Sequence, residues 1–443
     1  MKKVLKSIYL ENRFFIGLSI IIGFFILSFL FEGLLVISQI LFIAFLILVF
    51  VDGFILFRVS GISANRMLPE KFSNGDDNHI DIKIRNAYSF KVNLTLIDEL
   101  PFQYQKRDFT IETFIEKGQL KKIDYAIKPL ERGEYQFGNL NIYASSPLGI
   151  VSRRFLFGNN AMVPNYPSFL QLRKYMLLAF SNKVFEYGLK KIRRIGHTME
   201  FEQIKNYVQG DDIRNINWKA TAKSQKLMVN QFQDERSQPI YSVIDKGRVM
   251  KMPFEGLSLL DYAINSTLVI SNIALKKHDK AGMFSFSRKV ENKILAEKRP
   301  SQMNLIMETL YNLDTDYAES DFARLYIDIK RNLNQRCLLL LYTNFETLDA
   351  LHRQLPYLQT IAKNHLLVVI FFENTELQKL TQKSAKSTKE IFEKTIAEKF
   401  VYEKKLIVNE LKKHGIQTIL TAPQNLTLNT INKYLEIKAR GLI

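Results

Sequence analysis

Apolar residues fall into three successive patterns along this chain. From Phe14 to Phe31 and from Leu34 to Val51 they are almost unbroken, separated by Glu32-Gly33. Each run approaches the roughly 20 residues that a bilayer-spanning helix needs. Both are apolar on every face, which suits lipid better than the core of a soluble protein. A secretory signal would have a shorter apolar core and a small-residue cleavage site, and no second apolar helix would follow so tightly. The pattern predicts a transmembrane helical hairpin within residues 1–58, with helices at about 14–31 and 34–51. Lys2, Lys3, Lys6 and Arg13 precede it, Arg58, Arg66 and Lys71 follow it, and the turn carries only Glu32. The positive-inside rule then puts both termini and everything after about residue 58 in the cytoplasm.

The second pattern has period two. Ile80, Ile82 and Ile84 alternate with Asp81, Lys83 and Arg85, and similar alternation recurs around Leu94, Ile123, Tyr135 and Leu140. With intervening Gly, Pro and Asn turns, this predicts half-buried antiparallel strands in a small β-sandwich over residues 65–160. It shows no catalytic set and reads as a spacer and docking platform. A connector over 161–236 leads to the third pattern, an alternation of strand and helix over 237–443. Strands are expected at Ile240–Ile244, Ala281–Phe286, Cys337–Tyr342, Leu366–Phe372 and Ile416–Leu420. Helices are expected at Leu257–Lys277, Gln302–Leu313, Phe322–Leu333, Glu390–Lys413 and Leu428–Arg440. Continuous apolar strands between helices predict a doubly wound α/β sheet covered on both faces.

Charge adds a partner class. The 443 residues carry 62 Lys+Arg against 44 Asp+Glu, a formal +18. Such a balance calls for an anionic lipid surface, a nucleic acid or an acidic protein. The cluster Lys190, Lys191, Arg193 and Arg194 would suit phosphates, but it lacks interleaved aromatics and a recognition helix, so a lipid-facing or solvated loop is favoured over a nucleic-acid site. Cys337 is the only cysteine, which rules out a disulfide within the chain and fits a reducing compartment. The sequence holds no P-loop, HExxH, G-x-S-x-G or zinc-type Cys/His spacing, so no enzyme class is indicated.

The stretch 196–226 contains the single tryptophan, Trp218, and a Gly210-Asp211-Asp212 turn. One of the two carboxylates is expected to cap a helical turn over Ile213–Asn217 and the other to meet Arg214. Glu200-Phe201, Tyr207, Gly210-Asp211, Arg214, Asn217-Trp218-Lys219 and Thr221-Ala222-Lys223 resemble the signature of the domain-of-unknown-function 58 family, with Lys205 where that family usually has Arg. Arg132-Gly133 and Ser146-Pro147-Leu148-Gly149 resemble two of its turns. The resemblance implies a von Willebrand A-like α/β domain in a protein of the bacterial cytoplasmic (inner) membrane. It also implies a MoxR-type AAA+ ATPase and neighbouring von Willebrand A proteins as partners in assembly or maturation of protein complexes. Two readings of the signature follow. Glu200, Asp211, Asp212 and Arg214 form buried ion pairs that lock the sandwich to the α/β domain, with Trp218 filling the seam, or they form with Phe201, Tyr207, Gly210, Asn217, Lys219 and Thr221 a surface that a partner reads. The seam is favoured.

The resemblance also implies a divalent-cation site fed by an Asp-x-Ser-x-Ser loop, a Thr and a second Asp. Here the loop reads Asp245-Lys246-Gly247-Arg248-Val249, with Ser320 as candidate for the Thr and Asn344 in place of the second Asp. Loss of oxygen ligands and addition of Lys246 and Arg248 make this a degenerate Mg²⁺ site. No cofactor is expected. A divalent-metal-dependent adhesion or enzyme module and a membrane-tethered nucleic-acid binder are the alternatives to an interaction scaffold.

Overall fold

The structure, a computed structural model, describes residues 7–31, 33–106, 109–158, 160–172, 175–176, 200–209, 211, 213–233, 237–384 and 387–442. The basic cluster at 190–194, Gly210 and Asp212 lie outside them, as do the side chains of Glu200, Phe201 and Arg214. The chain divides into two compact units, residues 1–166 and 167–443.

The first unit opens with a short strand, β1 (Ile8–Leu10), then two apolar helices, α1 (Asn12–Ser28) and α2 (Leu34–Phe57). The 24 residues of α2 contain an 18-residue stretch of mean hydropathy 3.1 and are long and apolar enough to cross a membrane; α1 is a shorter apolar helix. Ring contacts join the two at Phe14–Phe45 and Phe25–Phe42. The strands β2 (Ile62–Met67), β3 (Phe72–Ser73), β4 (Asn78–Asn86), β5 (Val92–Asp98), β6 (Thr110–Ile115), β7 (Leu120–Ile127), β8 (Gly133–Phe137), β9 (Leu140–Ser145), β10 (Val151–Phe157) and β11 (Ala161–Tyr166) follow. Among the described residues they form sheets ordered β1-β10-β9-β5-β6, β2-β4-β7 and β3-β11-β8. Ile82 and Ile84 from one sheet and Leu94, Leu96 and Ile142 from another share one buried core, as period-two alternation requires. The pairing of β11 with β8 ties residues 161–166 to these sheets rather than to a connector.

The end of α2 departs from the sequence reading. Asp52 ends the apolar run, yet the helix continues to Phe57. Its carboxylate is fully buried and accepts bonds from the Ser146 hydroxyl and from the N–H groups of Ile150 (3.1 Å) and Val151 (2.9 Å). Those partners satisfy a charge that would otherwise be costly beside apolar helices. Arg13 donates to the Leu148 carbonyl (2.9 Å) from the other side of the same turn. Gly149 closes this turn at φ +66°, a conformation that favours glycine. Arg153 and Tyr88 donate to the Leu56 carbonyl, each at 2.8 Å, and so occupy an acceptor left open at the helix end. The Ser146–Gly149 turn is therefore a clasp between α1, α2 and the sheets.

In the second unit, β12 (Glu200–Asn206) and β13 (Met228–Gln233) form a two-stranded sheet, with α3 (Trp218–Ser224) in the connection between them. The α/β body then runs β14 (Pro239–Asp245), the small pair β15 (Pro253–Phe254) and β16 (Leu257–Ser258), α4 (Leu259–Lys276), β17 (Lys280–Phe286), β18 (Val290–Glu297), α5 (Gln302–Tyr311), α6 (Phe322–Asn332), β19 (Leu338–Tyr342), α7 (Leu348–Asn364), β20 (Leu366–Phe372), α8 (Thr375–Gln382), α9 (Thr388–Lys413), β21 (Gln417–Thr421) and α10 (Leu426–Ala439). The sheet order is β18-β17-β14-β19-β20-β21, parallel except for β18. Every residue of β14 and β19 is buried, as strands covered on both faces must be. One face packs on α4, α5 and α10, the other on α6, α7 and α9. Ser258 and Asp261 form a capping box that fixes the start of α4. Cys337 is buried 3.2 Å from His365 Nδ1, and burial pushes its thiol up to about 12.

Candidate functional site

Lys205, Tyr207, Asp211, Asn217, Trp218 and Thr221 gather at the connection end of the β12–β13 hairpin, whereas Glu200 and Phe201 begin β12 at its opposite, open end. The expected turn is a 3₁₀ turn at Ile213–Asn215, with Asp212 before it outside the described residues; Asn217 caps the next element, its Oδ1 accepting from Ala220 N (2.9 Å) at the start of α3. Asn217 Nδ2 also donates to Asn230 Oδ1 (2.8 Å), and Thr221 Oγ1 accepts from Met228 N (3.0 Å). Asp211 accepts from Val208 N (3.0 Å) and pairs with Lys205 (2.9 Å), the cation standing where the family usually has Arg. That Lys205 hydrogen bond comes first among the causes that hold Asp211 below the usual carboxylate range. The Tyr207 N–H donates to the Leu227 carbonyl (2.8 Å). These bonds fold the connection onto its own strands.

The apolar members behave differently. Trp218 is 69% exposed, so the described residues of its own unit leave it uncovered. Lys219 is exposed beside it.

The sheet order reverses between β14 and β19, and the crevice beyond their carboxyl ends is where open α/β sheets bind ligands. Asp245 ends β14 there, completely buried. It accepts from the Ser320 hydroxyl, from Thr343 Oγ1 (2.7 Å) and from Gly247 N (2.9 Å). Desolvation raises its pKa despite these three donors. Sequence reasoning brought Ser320 to Asp245 but missed Thr343, whose signal is a hydroxyl residue immediately after the apolar run of β19. Asn344 lines the same cavity of about 200 Å³, with Arg248 and Arg353. Its Oδ1, however, accepts from Lys404 Nζ (2.7 Å). Gly247 explains one missing serine: a Cβ there would lie 2.2 Å from Ser320 Oγ. This donor set does not fit a hard dication. One carboxylate is already engaged by three donors, and an internal ammonium takes the amide oxygen that would complete the ring.

A larger cavity of about 630 Å³ opens beside it, between the strand ends and α8–α9. Phe254, Phe372, Leu377, Ile396 and Phe400 line it. Glu346, Glu373, Glu376 and Glu393 stand among them, with Lys404 and Lys405. Lys404 also donates to the Phe345 carbonyl (2.5 Å), and burial lowers its pKa to about 8. Leu380, Ile396 and Phe400 at this cavity are 40%, 54% and 39% exposed.

Fold and site thus define an α/β domain with an apolar crevice at its strand ends, in a chain that carries one membrane-length apolar helix, α2, among its described residues. Residues 203–383 match the model of the family described as "Protein of unknown function DUF58". The uncharacterized protein YeaD of Bacillus subtilis (strain 168) is 24% identical over 260 residues, 57% of this chain. The matched stretch spans 63% of that relative's length. Among solved structures, the conserved hypothetical protein BatB of Bacteroides thetaiotaomicron is similar over 46% of this chain and 100% of its own, with 11% identity and a TM-score of 0.30. The ASH/PapD-like domain of human CEP192 is similar over 24% of this chain and 84% of its own, with 10% identity and a TM-score of 0.19.

Proposed function

We propose that the protein is a membrane-anchored interaction scaffold with a von Willebrand A-like domain, working with a MoxR-type AAA+ ATPase in assembly or maturation of protein complexes. The observation that carries this reading is the 630 Å³ apolar cavity and its exposed rim. A pocket of that size suits the apolar anchor residues of a protein partner. Its four glutamates, in a chain of formal charge +18, suit basic residues flanking such an anchor. The length and hydropathy of α2 support the anchor, with α1 as the first span of a hairpin. The basic residues on either side of that hairpin support a cytoplasmic soluble body.

The test is affinity capture of the detergent-solubilised full-length protein with mass spectrometry, against an Ile396→Asp/Phe400→Asp variant whose thermal unfolding matches the wild type. An AAA+ ATPase recovered by the wild type and lost by the variant is expected. Equal recovery would remove the cavity from the docking role, and no ATPase with either would end the partnership.

A further inference from the structure

We propose that the connection end of the β12–β13 hairpin is an interfacial contact, laying Trp218 and its neighbouring lysines against an anionic lipid surface. Between the end of β12 and the start of β13, Val208, Ile213, Trp218 and Leu227 are 62%, 68%, 69% and 47% exposed. Four large apolar side chains exposed within one connection are more than scattered single surface hydrophobics and call for cover. The bonds of Asn217, Thr221 and Asp211 hold the loop in this shape, so the exposure belongs to its folded form.

Charge decides the occupant. Lys219, Lys223 and Lys226 are exposed in the same connection, and Lys219 and Lys223 lie one helical turn apart. Asp211 is already matched by Lys205. An acidic protein surface would meet the lysines but not reward four apolar side chains set among them. A bilayer with anionic headgroups meets both, since lysines stay at the phosphates while indole and aliphatic groups enter the headgroup–acyl boundary. Tryptophan is the side chain most suited to that depth, with an apolar ring and one N–H donor. The same chain contains a helix long enough to hold it at a membrane, so the contact needs little intrinsic affinity. At roughly fivefold per lysine, three lysines strengthen partitioning onto an anionic surface about a hundredfold.

Trp218 is the only tryptophan of the chain, so intrinsic fluorescence reports on this site alone. The full-length protein is reconstituted into liposomes of phosphatidylcholine, or of phosphatidylcholine with phosphatidylglycerol, with and without bromine on the acyl chains. In the anionic liposomes a blue-shifted emission and loss of about half the intensity to bromine are expected, as for a ring about 5–10 Å into the boundary. Quenching should fall in neutral lipid, in high salt, and in a Lys219→Glu/Lys223→Glu/Lys226→Glu variant with an unchanged melting temperature. The salt arm decides the matter if that variant fails to fold. Flotation with the liposomes reports the anchor independently. Unquenched, solvent-like emission from protein that floats would overturn the proposal and leave the patch to a protein partner. Quenching that ignores lipid charge, salt and the lysines would overturn it as well.

Discussion

Replacing Asp52 with Leu isolates the clasp at the end of α2. By hydropathy alone the change is an improvement, since it removes a carboxylate from a helix that contains an 18-residue stretch of mean hydropathy 3.1. The hydrogen bonds argue the opposite. Asp52 accepts from the Ser146 hydroxyl and from two backbone N–H groups in a fully buried site. The hydroxyl can rotate to another acceptor, but the N–H groups of Ile150 and Val151 cannot. Hydrogen bonds to a charged group contribute about 1.5–3 kcal/mol each, so two lost bonds cost about 3–6 kcal/mol. Relief of carboxylate desolvation returns part of that, leaving a net loss of about 2–4 kcal/mol. In a body of this size the melting temperature should fall on the order of 10 °C. Hydrogen exchange measured in detergent is the sharper assay. Opening of the Ile150 and Val151 amides should rise roughly 30- to 1000-fold, at tenfold per 1.4 kcal/mol. Ser146→Ala should cost about 1 kcal/mol and leave both amides protected. An Asp52→Leu protein with wild-type protection at those two amides would refute the clasp.

Three further outcomes follow from the second unit. Trp218→Ala should shift stability by no more than about 0.5 kcal/mol, because an exposed ring leaves no cavity; a large fall in melting temperature would show that it is covered. Gly247→Ser should destabilise by about 1–3 kcal/mol, since the new Cβ takes the space of Ser320 Oγ; calorimetry that finds the variant as stable as wild type would contradict this. Asp245 has a folded pKa above its ordinary value, so its ionisation is disfavoured in the fold. Stability relative to Asp245→Asn should therefore be greatest below about pH 4, fall as pH rises to the elevated folded value, and level off above it. A difference that is flat or rises over that range, measured by denaturant unfolding, would contradict the assignment.

Much of the fold follows from periodicity. Ile80, Ile82 and Ile84 are all fully buried, and the apolar run before Thr343 forms β19. Other elements gave weaker signals. The helix α7 contains Pro356 and a mostly polar surface, and β18 is an edge strand with few buried positions. Asp52 marked a helix end only because its partners lie 94 to 99 residues away in sequence. Trp218 shows the general difficulty. Its size argues for burial, but burial depends on what the fold brings against it. The apolar cavity was equally hidden, since α8, α9 and the ends of β20 and β21 build it from positions far apart in the chain. At the Asp245 loop, the sequence showed a carboxylate beside Lys246 and Arg248. It could not show that Ser320, Thr343 and Lys404 had taken up the remaining oxygens.

The most direct test of the scaffold account is site-specific photo-crosslinking in living cells from position 396, at the cavity rim, with position 327 on α6 as the control. Both residues are exposed isoleucines. The account predicts an adduct to an AAA+ ATPase from Ile396 and none from Ile327. No such adduct from Ile396, or equal adducts from both positions, would contradict it.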